Sequence, residues 1–266
     1  MTERAIAGAL VAAAIAFAAW RAGSLSRSGA AAALFIGTIA IAAGWAWGAL
    51  LTVYFVSSSV LSRIGARVKA QRSGSIVEKG GARDAPQVLA NGAVFAAAAA
   101  LQLLYPSFIW LAAGAGALAA SASDTWGTEI GMLAKSPPRM ITTWRTVPTG
   151  TSGGVSTLGL AAMVAGTLFI ALAAWLLHWN NGNAHLALAV SAGGIIGALV
   201  DSFGGALWQS RRYCTRCGSA TERVVHDCGT ETERAGGLGW LNNDGVNAAC
   251  TLIGAIVAVG MLRLLH

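Results

Sequence analysis

Sixteen of the 18 Lys and Arg residues of this 266-residue chain fall in four loops, and these alternate with connections that carry none. Arg21 and Arg27 lie in the first loop. Arg63, Arg67, Lys69, Arg72, Lys79 and Arg83 lie in the second, and Lys135, Arg139 and Arg145 in the third. Arg211, Arg212, Arg216, Arg223 and Arg234 lie in the fourth. The opposite connections, GWAWG at 44–48, YPS at 105–107 and HWNNGNAH at 178–185, hold no Lys or Arg. Eight apolar segments run between them, at about 5–20, 29–44, 47–62, 88–104, 107–123, 153–177, 185–208 and 238–263. Basic loops stay on the cytoplasmic side of a bilayer. The pattern predicts an all-α, polytopic integral membrane bundle of about seven to eight transmembrane helices. It is read as a single transmembrane domain over 1–266, with cytoplasmic loops at about 63–87, 124–152 and 209–237.

Composition agrees. The chain is 55% hydrophobic and 11% charged, against roughly 25% charged in a soluble domain. Its 34 glycines suit close packing of membrane helices. The net charge of +7 is topological, and it also suits anionic headgroups and nucleotides. Nucleic acid is a poor partner, because the cations sit in short loops pinned to a bilayer. The segment from Ile6 to Trp20 has the length of a signal peptide but no A-x-A-like site followed by a soluble domain, so it reads as a membrane anchor. The expected location is a bacterial inner membrane, with the active site on the cytoplasmic face.

One stretch between apolar segments is chemically rich: ASDTWGTEIGMLAKSPPRMITTWRTVPTGTSGGVSTLGL, residues 122–160. Asp124 stands at the end of an apolar segment and Glu129 follows five residues later, a spacing that does not stack on one helical face. A metal shared by the two needs a break in the backbone, which Gly127 and Gly131 permit. Lys135 and Arg145 follow, then Thr149, Gly150, Thr151, Ser152, Gly153 and Gly154 ahead of the next apolar segment. Small residues before a helix N-terminus suit either a phosphate cradle or a simple cap. Asp201 lies late in GGIIGALVDSFGGALWQ, on a face shared with small residues. Asn243, Asp244 and Asn247 open the last segment on one face, and Gln87 and Asn91 repeat that polar entry at i,i+4. All these polar helix ends map to one membrane side, which predicts one site there. Separately, Cys214-x2-Cys217-x8-His226-x-Cys228 offers four candidate Zn²⁺ ligands in one loop, with free thiols in a polar loop as the simpler reading.

The motifs SSSVLSRIGARVKA, GGARDAPQVLANG, ASDTWGTEIG, ITTWRTVPTGTSGGVS, LVDSFGGALWQ and GWLNNDGVN resemble the membrane family once catalogued as domain of unknown function ninety-two. That family includes transmembrane protein 19 and a plant chloroplast phytyl-phosphate kinase. The resemblance runs from about Gly29 to Val259, and Ser62-Arg63 stands where the family has Thr-Lys. It implies transfer of a nucleotide γ-phosphate, with CTP a plausible donor, to an isoprenyl monophosphate. On that view Asp124, Glu129 and Asp201 hold Mg²⁺, with Asp244 beside them as a catalytic carboxylate. Lys135, Arg145 and the 149–154 turn bind phosphates, and Gln87, Asn91, Asn243 and Asn247 complete a polar shell. The rivals are a CTP-dependent cytidylyltransferase acting on a lipid phosphate, and a carrier of isoprenyl phosphate or ions without chemistry.

Overall fold

The computed structural model describes residues 2–179 and 183–265. Met1, His266 and the central Asn180, Asn181 and Gly182 of the 178–185 connection lie outside the described residues. Each apolar segment becomes a helix. The chain runs α1 (Thr2–Arg21), α2 (Arg27–Ala43), α3 (Trp45–Arg63), the short polar α4 (Ala66–Ser73), α5 (Ala85–Leu104), α6 (Phe108–Gly131), α7 (Thr157–Leu176), α8 (Ala184–Leu207) and α9 (Asn243–Leu265). Six of these, α1, α3, α5, α7, α8 and α9, are long and apolar enough to cross a membrane. The 17 residues of α2 make about 26 Å of helix at 1.5 Å per residue. The 24 residues of α6 form the centre of the bundle.

Residues 112–123 of α6 are buried without interruption. A helix apolar on every face belongs inside, and α3, α5, α7, α8 and α9 pack around this one. Small residues set how close they come. A Cβ added to Gly254 would lie 2.5 Å from Ala120 Cβ and 2.8 Å from the Gly116 carbonyl oxygen. A Cβ on Gly193 would lie 2.4 Å from the Gly254 oxygen. Backbones of α6, α8 and α9 therefore touch directly. In lipid no hydrophobic gain favours helix over tail, so this close packing carries the association. Interhelical hydrogen bonds add to it: Ser123 Oγ donates to the Met163 carbonyl at 2.9 Å, and Thr251 Oγ1 to that of Ala90 at 3.1 Å. Such bonds are worth about 0.6 kcal/mol each. Phe17, Phe35, Val56, Leu168, Ile196 and Ile256 point outward, as expected of side chains facing lipid.

Two local differences from the sequence reading matter for the site. First, α6 does not end at residue 123. It continues unbroken to Gly131, so Asp124 and Glu129 are helical residues, and no break brings them onto a common metal. Gly127 and Gly131 serve packing instead. A Cβ on Gly127 would meet Met163 Cγ at 2.4 Å, and Gly131 lies against Gly159 of α7. Second, the helical bundle expected from the sequence carries two small sheets in its loops. β1 (Arg139–Met140) and β2 (Gly154–Val155) pair antiparallel and close the loop after α6. β3 (Arg211–Cys214), β4 (Ser219–Thr221) and β5 (Glu233–Gly236) form an antiparallel sheet in the order β4-β3-β5. The Cys214–Cys217 turn folds the 209–237 loop into a hairpin, and strand pairing satisfies backbone groups that a helix cannot there.

Candidate functional site

The charge-rich helix ends meet around one cavity of about 280 Å³. Its walls come from the start of α5, the ends of α6 and α8, the starts of α7 and α9, and the loops between them. Asp124, Glu129, Asp201 and Asp244 all line it, as do Gln87, Asn91, Asn243, Asn247 and the whole 149–154 turn. Lys135 and Arg145 do not. Both are exposed: Lys135 follows the end of α6, and Arg145 stands in the short turn whose carbonyl accepts from the Met140 N–H at 2.9 Å. The cations of the cavity wall are Lys79 and Arg83, from the loop before α5.

The floor is a carboxyl pair. Asp124 of α6 and Asp201 of α8 both line the cavity, with their carboxyl groups close enough to interact. Two carboxyls in contact need a proton or a cation between them. Asp201 Oδ2 is buried and has no hydrogen-bond partner among the described residues. An orphaned, buried oxygen beside a second carboxyl is an oxygen donor set of the kind Mg²⁺ takes.

Glu129 is built differently. Its Oε2 accepts from Lys69 Nζ at 2.5 Å and its Oε1 from Ser62 Oγ at 2.6 Å. Lys69 also donates to the carbonyls of Leu61 and Ser62, at 2.8 and 3.0 Å. Both oxygens of Glu129 are thus engaged in tying α4 and the end of α3 to α6.

Lys79 bridges two carboxylates, Asp244 Oδ2 at 2.6 Å and Asp84 Oδ2 at 3.1 Å. Burial works against the Lys79 charge, but the bonds and charges of Asp244 and Asp84 outweigh it and hold the ammonium above its ordinary value. Asp84 also caps α5 in a reciprocal box with Gln87, so the bridge fixes the starts of α5 and α9 together. Arg83 forms no ion pair among the described residues. Its guanidinium donates to Ser62 Oγ at 3.0 Å and Ser59 Oγ at 3.3 Å. Its backbone is pinned, the N–H to Ser24 O and the carbonyl to Ser26 N–H, each at 3.0 Å. The start of α2 presses on it so closely that a Cβ on Gly29 would sit 2.0 Å from the Arg83 oxygen.

The Gly-rich turn is shaped by tight packing. Gly150 and Gly153 have φ of +92° and +78°, which favours glycine. A Cβ on Gly153 would lie 2.5 Å from Ala206 Cβ, so the turn rests on the end of α8 near Asp201. The first turn of α7 is already capped by Ser156, whose Oγ accepts from the Gly159 N–H at 3.1 Å.

Glu222, from the β4–β5 loop, also lines the cavity, and Ser152 Oγ donates to it. Burial pushes Glu222 up to about 7, with the Glu78 charge adding to it, against the bonds from Ser152 and the Glu78 backbone that favour its charged form. Sequence spacing did not mark Glu222, because it lies in a loop distant from every other cavity carboxylate. Lys79 and Arg83 were visible only as topological charges, although GGARDAPQVLANG couples them directly to Gln87 and Asn91.

A second, apolar groove of about 90 Å³ runs beside the cavity, walled by α1, α2, α3 and α5. Ala12, Ile15, Ile36, Ile41, Leu51 and Phe55 line it. Arg83, Gln87 and Asn91 line both spaces. Asn91 is locked there: its Nδ2 donates to the Gln87 carbonyl at 2.9 Å, and its Oδ1 accepts from Ser121 Oγ at 2.6 Å. Ser121 in turn bonds Tyr54 OH at 2.6 Å.

This fold and site define a helical integral membrane protein with a carboxylate-lined polar cavity at one end of the bundle. The chain belongs to the family described as integral membrane protein DUF92, whose model matches residues 10–255. It is 30% identical over 273 residues to Protein PGR of Arabidopsis thaliana, covering 94% of this chain and 93% of that protein. It is 31% identical over 211 residues to an uncharacterized membrane protein of Methanocaldococcus jannaschii, covering 79% and 74%. Protein VTE6, chloroplastic, of Arabidopsis thaliana is 26% identical over 245 residues, covering 89% of this chain and 65% of that protein. No solved structure matches the chain significantly.

Proposed function

We propose that this protein is a membrane kinase that moves the γ-phosphate of a nucleoside triphosphate, CTP by family relationship, onto an isoprenyl monophosphate. The observation that carries the reading is the shared wall. A polar, acid- and cation-lined cavity shares the wall residues Arg83, Gln87 and Asn91 with an apolar groove among α1, α2, α3 and α5. A phosphate on an apolar tail matches that pairing of spaces. A free metabolite needs only the first.

Phosphoryl transfer requires positioning and charge neutralisation more than covalent help. Arg83 pairs with no carboxylate among the described residues and lines both spaces, so it holds the lipid phosphate. Lys79 and the 149–154 turn face the nucleotide phosphates. An oxygen of the lipid phosphate forms the new bond to the γ-phosphorus as the β–γ bridging P–O bond breaks, giving lipid diphosphate and nucleoside diphosphate. The acceptor oxygen is already anionic, so no strong general base is needed. Asp124 and Asp201 are the residues that would hold Mg²⁺, which neutralises phosphate charge when bound. The buried, unpartnered Asp201 oxygen supports that assignment. The charge asymmetry of the loops supports a cytoplasmic site.

Purified protein in detergent, with Mg²⁺, γ-labelled nucleotides and a panel of isoprenyl phosphates, tests this. Kinase action yields nucleoside diphosphate and labelled lipid diphosphate in equal amounts. Release of pyrophosphate with a nucleotidyl-lipid establishes the cytidylyltransferase instead. No turnover, with flux of isoprenyl phosphate across liposomes, establishes the carrier.

A further inference from the structure

The loop between α8 and α9 brings Cys214, Cys217, His226 and Cys228 together, with one ligand atom from each lying within 4.8 Å of all the others. Cys214 Sγ and Cys228 Sγ are 3.6 Å apart. Sulfurs on one tetrahedral Zn²⁺, each about 2.3 Å from the metal, sit about 3.8 Å apart. Independently, both ring nitrogens of His226 are buried without a hydrogen-bond partner among the described residues. A buried imidazole with no partner is costly unless a ligand takes its lone pair. Each half of the cluster ends in a glycine with positive φ, Gly218 at +64° and Gly229 at +78°. Gly218 N–H closes the first turn on the Cys214 carbonyl at 2.9 Å, and Gly229 N–H the second on the His226 carbonyl at 2.8 Å.

What this knuckle holds is more informative than the knuckle itself. Strand β4 runs from it straight into the cavity wall. Thr221 Oγ1 donates to the Ser75 carbonyl at 2.9 Å, and Glu222 N–H to that of Ile76 at 2.8 Å. Arg223 Nε donates to the Val77 carbonyl at 2.9 Å. The segment 74–77 leads two residues on to Lys79, which joins Asp84 to Asp244. One side of the cavity therefore hangs on a loop with little apolar core of its own.

We propose that Cys214, Cys217, His226 and Cys228 bind a structural Zn²⁺, and that this metal fastens Glu222 and the Lys79 loop in place as one wall of the cavity. The donor set is three thiolates and one imidazole, the chemistry that selects zinc over the oxygen-seeking metals. The proposal does not depend on the reaction, because its readouts are metal content and backbone protection.

The full chain, purified in detergent under reducing conditions, should hold about one zinc per molecule, as a single four-ligand site requires. Exchange of that zinc for Co²⁺ should give the thiolate-to-cobalt absorption of a tetrahedral site. Cys217→Ser should lose most of the metal, while Cys250→Ser, in α9, should keep it. Chelating zinc from the wild-type protein should raise amide hydrogen exchange at 74–79 and 219–224 by at least about tenfold, a change of about 1.4 kcal/mol in local opening, and leave α6 unchanged. Absence of zinc together with no cobalt spectrum overturns the site, as does a disulfide between Cys214 and Cys228 in the reduced protein. Zinc whose removal leaves exchange at 74–79 unaltered overturns the fastening role. The chelation arm uses wild-type protein, so it stands even if the serine variant fails to fold.

Discussion

Asp124 and Glu129 lie five residues apart on the same helix, in the same cavity wall, and their surroundings are opposite. Glu129 has a donor on each oxygen and a buried lysine to balance its charge. Asp124 faces another carboxyl, and that partner's second oxygen has nothing. One region is finished as a folding joint. The other sets two carboxyls against each other with no basic side chain paired to them among the described residues. Residue type and position along the chain do not separate the two. The partner supplied by a distant element does.

Glu129→Ala attacks the finished joint and should have the largest effect on stability. Lys69 is 6% exposed, and stranding a buried charge costs about 3–5 kcal/mol. Denaturant unfolding in detergent should show that loss, and Lys69→Met added to Glu129→Ala should recover much of it. Recovery would fail if Glu129 were chiefly a metal ligand.

Asp124→Asn and Asp201→Asn attack the incomplete pair and should invert the pattern. Each should lower kcat by about 10²–10³-fold, the usual effect of removing a key electrostatic group. Melting temperature should hold or rise, because a like-charge contact is removed. A large loss of stability with kcat preserved would merge the two regions into one structural class.

Arg83→Ala tests the junction. A hydrogen bond to a charged group is worth about 1.5–3 kcal/mol, so KM for the lipid phosphate should rise about 10–100-fold, with KM for nucleotide changing far less. Lys135→Ala and Arg145→Ala, exposed and outside the cavity, should stay within about twofold of wild type. Equal rises in both KM values for Arg83→Ala would move it to the nucleotide.

The smallest effect concerns pH. Glu222 sits at about 7 in the fold, above its ordinary 4.5. Below about 4.5 it is protonated folded or unfolded. As pH rises from there through 7, the unfolded chain releases its proton first, so stability falls across that window. Glu222→Gln has no proton to release, and its melting temperature should decline less between pH 5 and 8 than that of wild type. Parallel curves would place Glu222 in open water.

The apolar segments were legible because membrane helices must satisfy their backbone internally, which makes them long, continuous and apolar. The gathering of the polar helix ends on one side was legible from the alternation of charged loops. The end of α6 was misjudged for a physical reason: Asp124 and Glu129 look like loop residues, yet both are partly buried and contacts with α7, α8 and the Lys69 helix keep this end helical. The small sheet after α8 was hidden because strands of three or four residues leave no periodicity to read.

From the sequence alone came the class of protein, the number of apolar segments, their polar side and most of the polar side chains in the cavity. Those follow from bilayer energetics, which act on each segment separately. Only the tertiary structure decided which carboxylate is neutralised and which is not, that Lys79 and Arg83 rather than Lys135 and Arg145 face the cavity, that Glu222 enters it from 20 residues beyond α8's Ser202, and that an apolar groove adjoins it. Each of these depends on which side chains distant elements bring within about 3 Å of one another, the range over which a hydrogen bond or ion pair forms.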